Sequence, residues 1–213
     1  MRKIWFALIG ILVAGVPQAR AGDMPRPILV ADTAAGALAL TPDDRILGKP
    51  DAPITIIEYG SLNCPHCAHF ALDVLPKLKQ KWIDSGKAKL VFRDFPLDRQ
   101  ALMAAMIARC APPDQFYAFV DTFMKAQSGW VGASDYLDTL ARLAKLGGMS
   151  KQQFDQCLNN KALEDKIVAS RLVADQKLGV ESTPTFFING TKFTGEPTEA
   201  GFNQALSSLA PKS

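Results

Sequence analysis

Apolar runs and the turn residues beside them predict a small sheet. The segment 53–59 is β-branched and apolar, which is typical of a buried strand, and the segment 87–95 has the same character. A third run, 183–188, is followed by Asn189-Gly190, a dipeptide typical of a two-residue hairpin turn. Residues 191–193 are therefore predicted to form the return strand of a hairpin.

Helical periodicity follows the first strand and fills the middle of the chain. Apolar residues recur every four positions from Phe70 to Trp82, which predicts a helix with one apolar face. Pro65 fits the first helical position, where a missing N–H costs nothing, whereas Pro76 is expected to kink the helix. Gly, Pro and Ser residues separate the further predicted helices. These helices are expected at 99–110, 113–127, 134–146, 150–158, 161–178 and 199–209.

The order of the elements predicts one α/β unit that is interrupted by helices. The unit comprises residues 52–97 and 179–213, and the insertion 98–178 is long enough to form a small helical subdomain. Residues 22–51 are rich in Ala, Pro and Asp and weakly patterned, which indicates a mobile arm with room for one edge strand. The chain has 213 residues, 48% of them hydrophobic, so it can bury a core, and disorder is excluded as its working state.

The first 21 residues have the composition of an export signal. A positive start, Met1-Arg2-Lys3, precedes the apolar run 4–16, and Ala19-Arg20-Ala21 is a small-x-small pattern, so we expect a signal peptide 1–21 cleaved after Ala21. The apolar run is shorter than the roughly 20 residues of a membrane-spanning helix. The mature protein is therefore expected in an exported, oxidising compartment, where disulfides persist.

The charge balance argues against nucleic acid as a partner. The chain has 24 Lys and Arg against 21 Asp and Glu. Arg2, Lys3 and Arg20 account for the whole excess, so removal of the signal leaves a neutral protein. Nucleic-acid binding depends on clustered Lys and Arg side chains that neutralise phosphates, and the neutral balance excludes that class.

Cys64 and Cys67 lie at the predicted junction between the first strand and its helix. Cysteines at this spacing can form a small disulfide ring, and Cys64 is placed where the N–H groups of a helix point outward and stabilise an anion. A stabilised thiolate has a lowered pKa and makes its disulfide easier to reduce, so the pair would act as an oxidant. His66 can donate a hydrogen bond to the Cys64 sulfur or carry positive charge beside it. Cys67, one turn into the helix, is expected to be the less exposed, resolving thiol.

Two other uses of this cysteine pair are open. A disulfide at this spacing can be purely structural, although its small ring is strained. Zinc could bind Cys64, Cys67 and His69, because thiolates and imidazoles are zinc ligands. The chain holds only two histidines, however, and the other cysteines are far away in sequence.

A second cysteine pair lies inside the predicted helical insertion. Cys110 ends one predicted helix and Cys157 lies in another. In an oxidising compartment the two are expected to form a disulfide, and the alternative is a pair of buried free thiols. Because neither belongs to a CxxC sequence, the disulfide is expected to be structural.

Several of these features together carry a resemblance to a known family. The sequence CPHC follows a strand that ends in Glu58-Tyr59, a large helical insertion comes next, and a Thr-Pro pair opens a later strand. In these respects the chain resembles the DsbA family of periplasmic thiol:disulfide interchange proteins, and the run 46–53 resembles the branch common in bacteria, including alphaproteobacteria. The resemblance covers roughly residues 44–209. It implies an α/β, thioredoxin-like fold with an inserted all-helical subdomain.

The resemblance implies a role for each residue of the CPHC sequence. Cys64 matches the nucleophilic cysteine of the family, and Cys67 matches its buried partner. Pro65 and His66 match the dipeptide that tunes the redox properties of the pair. Some relatives also carry a noncatalytic disulfide in the helical subdomain.

Three residues outside that sequence are implicated in the same way. Thr183 and Pro184 match the cis-proline loop that faces the disulfide and pairs with an extended substrate chain, and Glu58 matches a buried acid that helps to move the proton during exchange. Thr183 departs from the pattern of the best-studied oxidases, which often carry an apolar residue there. A hydroxyl at this position is also found in isomerases and reductases of the superfamily, so the direction of electron flow is less constrained than the fold.

The implied activity is that of a thiol:disulfide oxidoreductase of the disulfide oxidase type. The Cys64–Cys67 disulfide would pass to reduced or unfolded exported polypeptides through a mixed disulfide at Cys64. A membrane oxidase of the DsbB type would restore it, so no metal or organic cofactor is expected. The protein is expected to be a periplasmic monomer that neither spans the membrane nor binds nucleic acid.

Two alternative functions follow from the same residues. The first is a reductase or isomerase kept reduced by a membrane donor, although isomerases of this superfamily use a separate dimerisation domain, for which 22–51 is too short. The second is a module that holds unfolded chains or a metal ion without turnover.

Overall fold

A five-stranded mixed sheet forms the centre of the molecule. The computed structural model describes residues 33–209, so the predicted export signal and residues 22–32 of the predicted arm lie outside the described part. The sheet order is β1-β3-β2-β4-β5, in which β2 and β3 are parallel and the other pairs antiparallel. The strands are β1 Ile46–Leu47, β2 Ile54–Gly60, β3 Ala88–Asp94, β4 Thr185–Ile188 and β5 Thr191–Lys192. The predicted strands are confirmed within one or two residues at each end.

Helices lie on both sides of the sheet and form the insertion. A short helix, α1 Thr33–Leu38, precedes the sheet, and one helical segment runs from α2 Pro65–His69 to α3 Leu75–Leu78 with a π-helical turn after each, Phe70–Val74 and Lys79–Ile83. The remaining helices are α4 Arg99–Cys110, α5 Phe116–Lys125, α6 Tyr136–Leu146, α7 Lys151–Leu158, α8 Lys161–Leu178 and α9 Glu199–Leu209. No helix in the described residues is long and apolar enough to cross a membrane.

The helical segment that follows the CPHC sequence departs from a regular α-helix around Pro76. A π-helical turn ends at Val74, just before this proline. Proline has no N–H to donate to the carbonyl four residues earlier, so the α-helical hydrogen-bond pattern is interrupted where the sequence predicts a kink. The apolar period of four residues is longer than the 3.6 residues of an α-helical turn, and the wider π turns keep all four apolar side chains buried. These side chains are Phe70, Val74, Leu78 and Trp82.

Alternation along β2 divides the sheet between two cores. Ile54 and Ile56 pack on the face covered by the helical segment 65–83 and by α9. Ile57 and Tyr59 pack on the opposite face, which α1 and α8 cover. Period-two alternation places Glu58 on the same face as Ile54 and Ile56, beneath the helix that carries the two cysteines.

The insertion 98–178 has a core of its own, and this core continues to the two cysteines of the CPHC sequence. Apolar residues of α4 to α7 form one buried cluster that also includes Cys64 and Cys67. A disulfide joins Cys110 at the end of α4 to Cys157 in α7, the pair that the sequence predicts. The sequence separation is 47 residues, for which the chain-entropy model gives about 4 kcal/mol of stabilisation.

Arg93 anchors the segment before the sheet. Its guanidinium donates to both carboxylate oxygens of Asp44 at 2.9 and 2.8 Å and to the carbonyls of Ala37 and Ala39 at 2.6 and 2.7 Å. Burial alone would raise the pKa of Asp44, but the bonds from Arg93 and Thr41 outweigh it and lower that pKa. The edge strand expected in residues 22–51 is present as β1, whereas α1, which this arginine holds in place, has no signal in the local sequence pattern.

Candidate active site

Cys64 occupies the N-cap position of the helix that follows β2. Its backbone is extended, with φ −82° and ψ 123°, and Pro65 takes the first helical position. Proline suits this position because its fixed φ is helical and its missing N–H would be unpaired there anyway. The N–H groups of the first turn therefore lie at the end of the helix where Cys64 stands, without a side-chain capping hydrogen bond to its sulfur, and the helix dipole favours a negative charge there.

Both cysteines of the CPHC sequence are free thiols in this structure. The pKa of Cys64 is lowered to about 4, first by the hydrogen bond that the Cys67 thiol donates to its sulfur. Burial opposes this effect, and the Thr183 side chain and the backbone N–H groups of Cys67 and His66 reinforce it. The sulfur of Cys64 is thus stabilised as a thiolate well below neutral pH.

Cys67 has the opposite electrostatic environment. It is completely buried, and burial is the main reason that its pKa is raised far above the usual range of a thiol. The hydrogen bond to Cys64 and the negative charges of Glu58 and Cys64 act in the same direction. One weak compensating contact is the N–H of Ser61, which lies 3.5 Å from the Cys67 sulfur.

Glu58 is a buried carboxyl beneath the cysteine pair. Its Oε1 has no hydrogen-bond partner among the described residues. Burial, followed by the negative charge of Cys64, raises the pKa of Glu58 to about 8, so the carboxyl holds its proton at neutral pH. Gly60 makes room for this group, because a Cβ there would collide with the ring of Phe92 and come 3.0 Å from Oε1 of Glu58.

The loop before β4 faces Cys64 across 119 positions of sequence. The Thr183–Pro184 peptide bond is cis. The thiol of Cys64 donates to the carbonyl oxygen of Thr183 at 3.3 Å. The Thr183 hydroxyl is buried and has no partner of good hydrogen-bond geometry within residues 33–209, and it contributes to the low pKa of Cys64. It is therefore available to a negatively charged sulfur.

The histidines take a smaller part than the sequence suggests. The side chain of His66 is exposed, and no hydrogen bond joins its imidazole to Cys64 in the described part of the chain, whereas its backbone N–H lowers the pKa of that cysteine. His69 is exposed and pairs with Asp73 at 2.8 Å. Within residues 33–209 no three His, Cys, Asp or Glu side chains are grouped to hold a metal ion, and the zinc set of Cys64, Cys67 and His69 does not form.

Sequence patterns give no indication of two contacts from the insertion to the loop before Cys64. The side-chain amide of Gln127 donates to the carbonyls of Leu62 and Cys64 at 2.8 and 3.1 Å. Asn63 donates to Asp98 at 2.8 Å, and Asp98 also caps α4. These partners are 35 to 65 residues apart in sequence, and only the fold brings them together.

Comparisons with known proteins identify the same fold. The family model described as thioredoxin matches residues 40–208. The crystal structure of Wolbachia pipientis alpha-DsbA1 is 36% identical with a TM-score of 0.78, covering 83% of this chain and 96% of that one. The structure of oxidised BdbD from Bacillus subtilis has 23% sequence identity to this chain and a TM-score of 0.70. The match covers 78% of this chain and 92% of the BdbD chain, and it supports the fold.

Curated relatives extend the comparison by sequence. Disulfide bond formation protein D of Bacillus subtilis is 30% identical over 156 residues, 68% of this chain and 67% of that protein. A Rickettsia bellii protein, whose name assigns it provisionally to the protein-disulfide oxidoreductases, is 33% identical over 151 residues. That match covers 70% of this chain and 58% of the relative, so the chain spans less than two thirds of that relative's length.

The matches confirm the expected α/β, thioredoxin-like fold with a helical insertion. The family model accounts for most of the chain, and the alpha-DsbA1 structure is matched over nearly its full length. The chain belongs to the thioredoxin family, in its DsbA-like branch.

Proposed function

We propose that this protein is an exported thiol:disulfide oxidoreductase that donates the Cys64–Cys67 disulfide to reduced polypeptides. The observation that carries the proposal is the opposite shift of the two thiol pKa values, low at Cys64 and high at Cys67. The thiolate is both the attacking and the leaving species in disulfide exchange, so a stable thiolate at Cys64 favours the reduced enzyme and hence oxidation of the substrate.

The exchange proceeds in two balanced steps. A substrate thiolate attacks the Cys64 sulfur of the oxidised pair, the Cys64–Cys67 bond breaks, and Cys67 leaves and takes up a proton. A second substrate thiolate then attacks the substrate sulfur of the mixed disulfide, and Cys64 leaves as a thiolate. Two electrons pass from two substrate thiols to the enzyme, one substrate proton is retained at Cys67, and the other goes to solvent.

Glu58 is the proposed proton donor and acceptor for Cys67. Its carboxyl holds its proton at neutral pH and is buried beside the thiol whose charge is least tolerated. A carboxyl with a pKa near the working pH can give the proton to the leaving Cys67 sulfur and recover it later. The missing partner at Oε1 leaves that oxygen free to take part.

The proposal includes the direction of electron flow, from substrate to enzyme, and the partners of the protein. Support for the oxidase direction comes from the environment of Cys64, to which the Thr183 hydroxyl contributes by lowering the pKa of that cysteine. The alternative, a reductase or isomerase, rests on the resemblance alone, because such members of the superfamily also carry a hydroxyl at this position. The proposed substrates are reduced or unfolded exported polypeptides that lie along the Thr183-Pro184 loop, and the proposed recycling partner is a membrane oxidase of the DsbB type. A cleaved export signal would deliver the protein to the periplasm, where it would act as a monomer.

The Cys110–Cys157 disulfide is proposed to be structural. It joins two helices of the insertion, and Cys157 is buried in the core of that subdomain. Pro65 and the backbone of His66 are proposed to set the first helical turn that acts on Cys64.

Removal of the resolving thiol tests the order of attack. In Cys67→Ala produced with its export signal in bacterial cells, the Cys64 thiolate can attack a disulfide of an exported polypeptide and release one of its two thiolates. We expect the resulting disulfide-linked adducts to accumulate at Cys64, because no internal thiol can release them. Nonreducing gels of alkylated extracts, followed by mass spectrometry, identify the linked cysteine. Cys64→Ala is the matched control and should give no adducts. Adducts on Cys64→Ala, or their absence from Cys67→Ala, would contradict the assignment of Cys64 as the nucleophile.

The pH dependence of alkylation tests the thiolate at Cys64. With the pKa lowered to about 4, the thiolate fraction is complete above pH 6 and falls as the pH is lowered through 4. The iodoacetamide rate at Cys64, located by peptide mass spectrometry, should therefore be flat between pH 6 and 8, after allowance for the reagent, and halve near pH 4. An ordinary thiol would instead react about tenfold faster per pH unit over that range. A rate that still rises at pH 8 would refute the thiolate.

The buried carboxyl predicts a pH-dependent effect of Glu58→Gln. A pKa raised from 4.5 to about 8 means that the folded protein loses stability as the pH rises through this window, because the unfolded chain releases the proton first. The unfolding free energy of reduced Glu58→Gln minus that of reduced wild type should therefore increase from pH 5 to pH 9, by on the order of a few kcal/mol. The control Glu181→Gln replaces an exposed glutamate and should show no such gain. Denaturant titrations at pH 5 and pH 9 measure these unfolding free energies. The same pH dependence in Glu58→Gln and Glu181→Gln would exclude a buried, protonated Glu58.

A further inference from the structure

The loop between β2 and α2 determines where the Cys64 sulfur lies relative to the first helical turn. It consists of residues 61–64 and is closed by a turn in which the N–H of Cys64 donates to the carbonyl of Ser61 at 3.1 Å. The carbonyl of Cys64 accepts the N–H of Ala68 at 3.1 Å, the first bond of the helix. Any rotation of the peptide planes in this loop therefore moves the sulfur relative to the N–H groups that stabilise it.

The side chain of Gln127 holds two of these peptide planes from the insertion. Its Nε2 donates to the carbonyl of Leu62 at 2.8 Å and to that of Cys64 at 3.1 Å. Leu62 is buried, so its carbonyl would be left without a partner or would need water if the amide were removed. A buried polar group that loses its partner costs about 1–3 kcal/mol, which a rearrangement of the loop would relieve.

The backbone of Gln127 is itself fixed, so its amide is presented in one place. It begins the 3₁₀ turn Gln127–Gly129 directly after α5, and its carbonyl accepts the N–H groups of Trp130 and Val131 at 3.1 and 2.9 Å. Trp130 is fully buried, and its indole N–H donates to the carbonyl of Phe123 at 2.9 Å. The donor is thus held by the core of the insertion and not by the loop that it contacts.

A second set of hydrogen bonds also links the loop 61–64 to the insertion. Ser61 donates to Asn63 at 2.7 Å, and Asn63 donates to one carboxylate oxygen of Asp98 at 2.8 Å. The other oxygen of Asp98 accepts the N–H of Ala101 and caps α4. Both ends of the loop are therefore tied to the insertion, and Gln127 makes the contact to the carbonyl of Cys64 itself.

We propose that Gln127 is a positioning residue, which ties the peptide planes of Leu62 and Cys64 to the insertion so that the first helical turn, with the N–H groups of His66 and Cys67, keeps its place beside the Cys64 sulfur. The helical subdomain thereby contributes to the reactivity of a cysteine that belongs to the sheet domain. The proposal deepens the proposed function and rests on it for its significance, but its test requires no polypeptide substrate.

The test is the midpoint of the pH–rate curve for alkylation of Cys64 in the reduced full chain. In Gln127→Leu the midpoint should rise by about half a pH unit, because one neutral hydrogen-bond donor to the loop is lost. The equilibrium constant for oxidation of glutathione by the Cys64–Cys67 pair should fall about threefold in parallel. The readout is specific because a merely structural role would change the melting temperature and leave the midpoint in place.

Gln100→Leu is the matched control. The side-chain amide of Gln100 also makes two hydrogen bonds to backbone groups, but both lie inside the insertion and neither reaches the loop 61–64. It donates to the carbonyl of Ala133 at 3.0 Å and accepts the N–H of Gly132 at 2.8 Å. Its midpoint should equal that of wild type. If Gln127→Leu does not fold, Gln127→Asn, whose amide is one methylene too short, replaces it with the same expectation.

The results separate this proposal from the proposed function. Equal midpoints in the Gln127 variant, the Gln100 variant and wild type would overturn the positioning role. A wild-type midpoint at the ordinary cysteine value, about 8.5, would overturn the basis of the proposed oxidase, while the difference between the variants would still decide the role of Gln127.

Discussion

The structure depends on the placement of one sulfur at the start of a helix and of its partner inside the protein. Cys64 lies at the N-cap, where backbone N–H groups and the Cys67 thiol stabilise a negative charge. Cys67, three residues later, is buried where a negative charge is strongly disfavoured. The same helical turn thus creates both environments, and in the reduced pair they stabilise a thiolate at Cys64 and a proton on Cys67. This difference is the basis of the proposed direction of electron flow.

The surrounding elements keep that difference in place. Strand β2 carries Glu58 beneath the pair, and the open space at Gly60 admits this carboxyl beside Phe92. The loop before β4 brings the hydroxyl of Thr183 to Cys64, whose pKa it lowers. The insertion covers the cysteines with its own core. A site built from four separate parts of the chain is sensitive to how they pack, which is why a residue of the insertion such as Gln127 can matter to the chemistry.

Most of the fold could be predicted from local signals, and the reasons are visible at particular residues. The bounds of α4 and α8 match their predictions because each begins with a capping side chain, Asp98 or Asn160, and α8 ends at Gly179 with a positive φ of 61°. The hairpin at Asn189-Gly190 is equally predictable, because this dipeptide favours a turn with positive φ at both residues, and both have positive φ in the structure. The sequence predicts the start of α5 at Pro113, whereas the helix begins at Phe116.

What could not be predicted depends on contacts between distant residues. Helix α1 has an Ala- and Gly-rich sequence with no apolar period, and Arg93, more than 50 positions away, holds the chain beside it. The role of Gln127 depends on the docking of the insertion against the loop. The sequence predicts a hydrogen bond or a positive charge from the His66 imidazole, whereas in the structure this side chain is exposed and makes no hydrogen bond to Cys64, and the backbone N–H of His66 lowers the pKa of that cysteine. The CPHC sequence and the Thr-Pro pair were found because their chemistry is carried by short motifs.

The reduction potential of the Cys64–Cys67 pair tests the central claim most directly. The mature protein would be equilibrated with glutathione buffers, and peptide mass spectrometry would quantify the oxidised pair separately from Cys110–Cys157. A stabilised thiolate at Cys64 predicts a value toward the strongly oxidising end of thioredoxin-fold proteins, about −120 mV. A value near that of thioredoxin itself, about −270 mV, would contradict a disulfide donor and indicate a reductase.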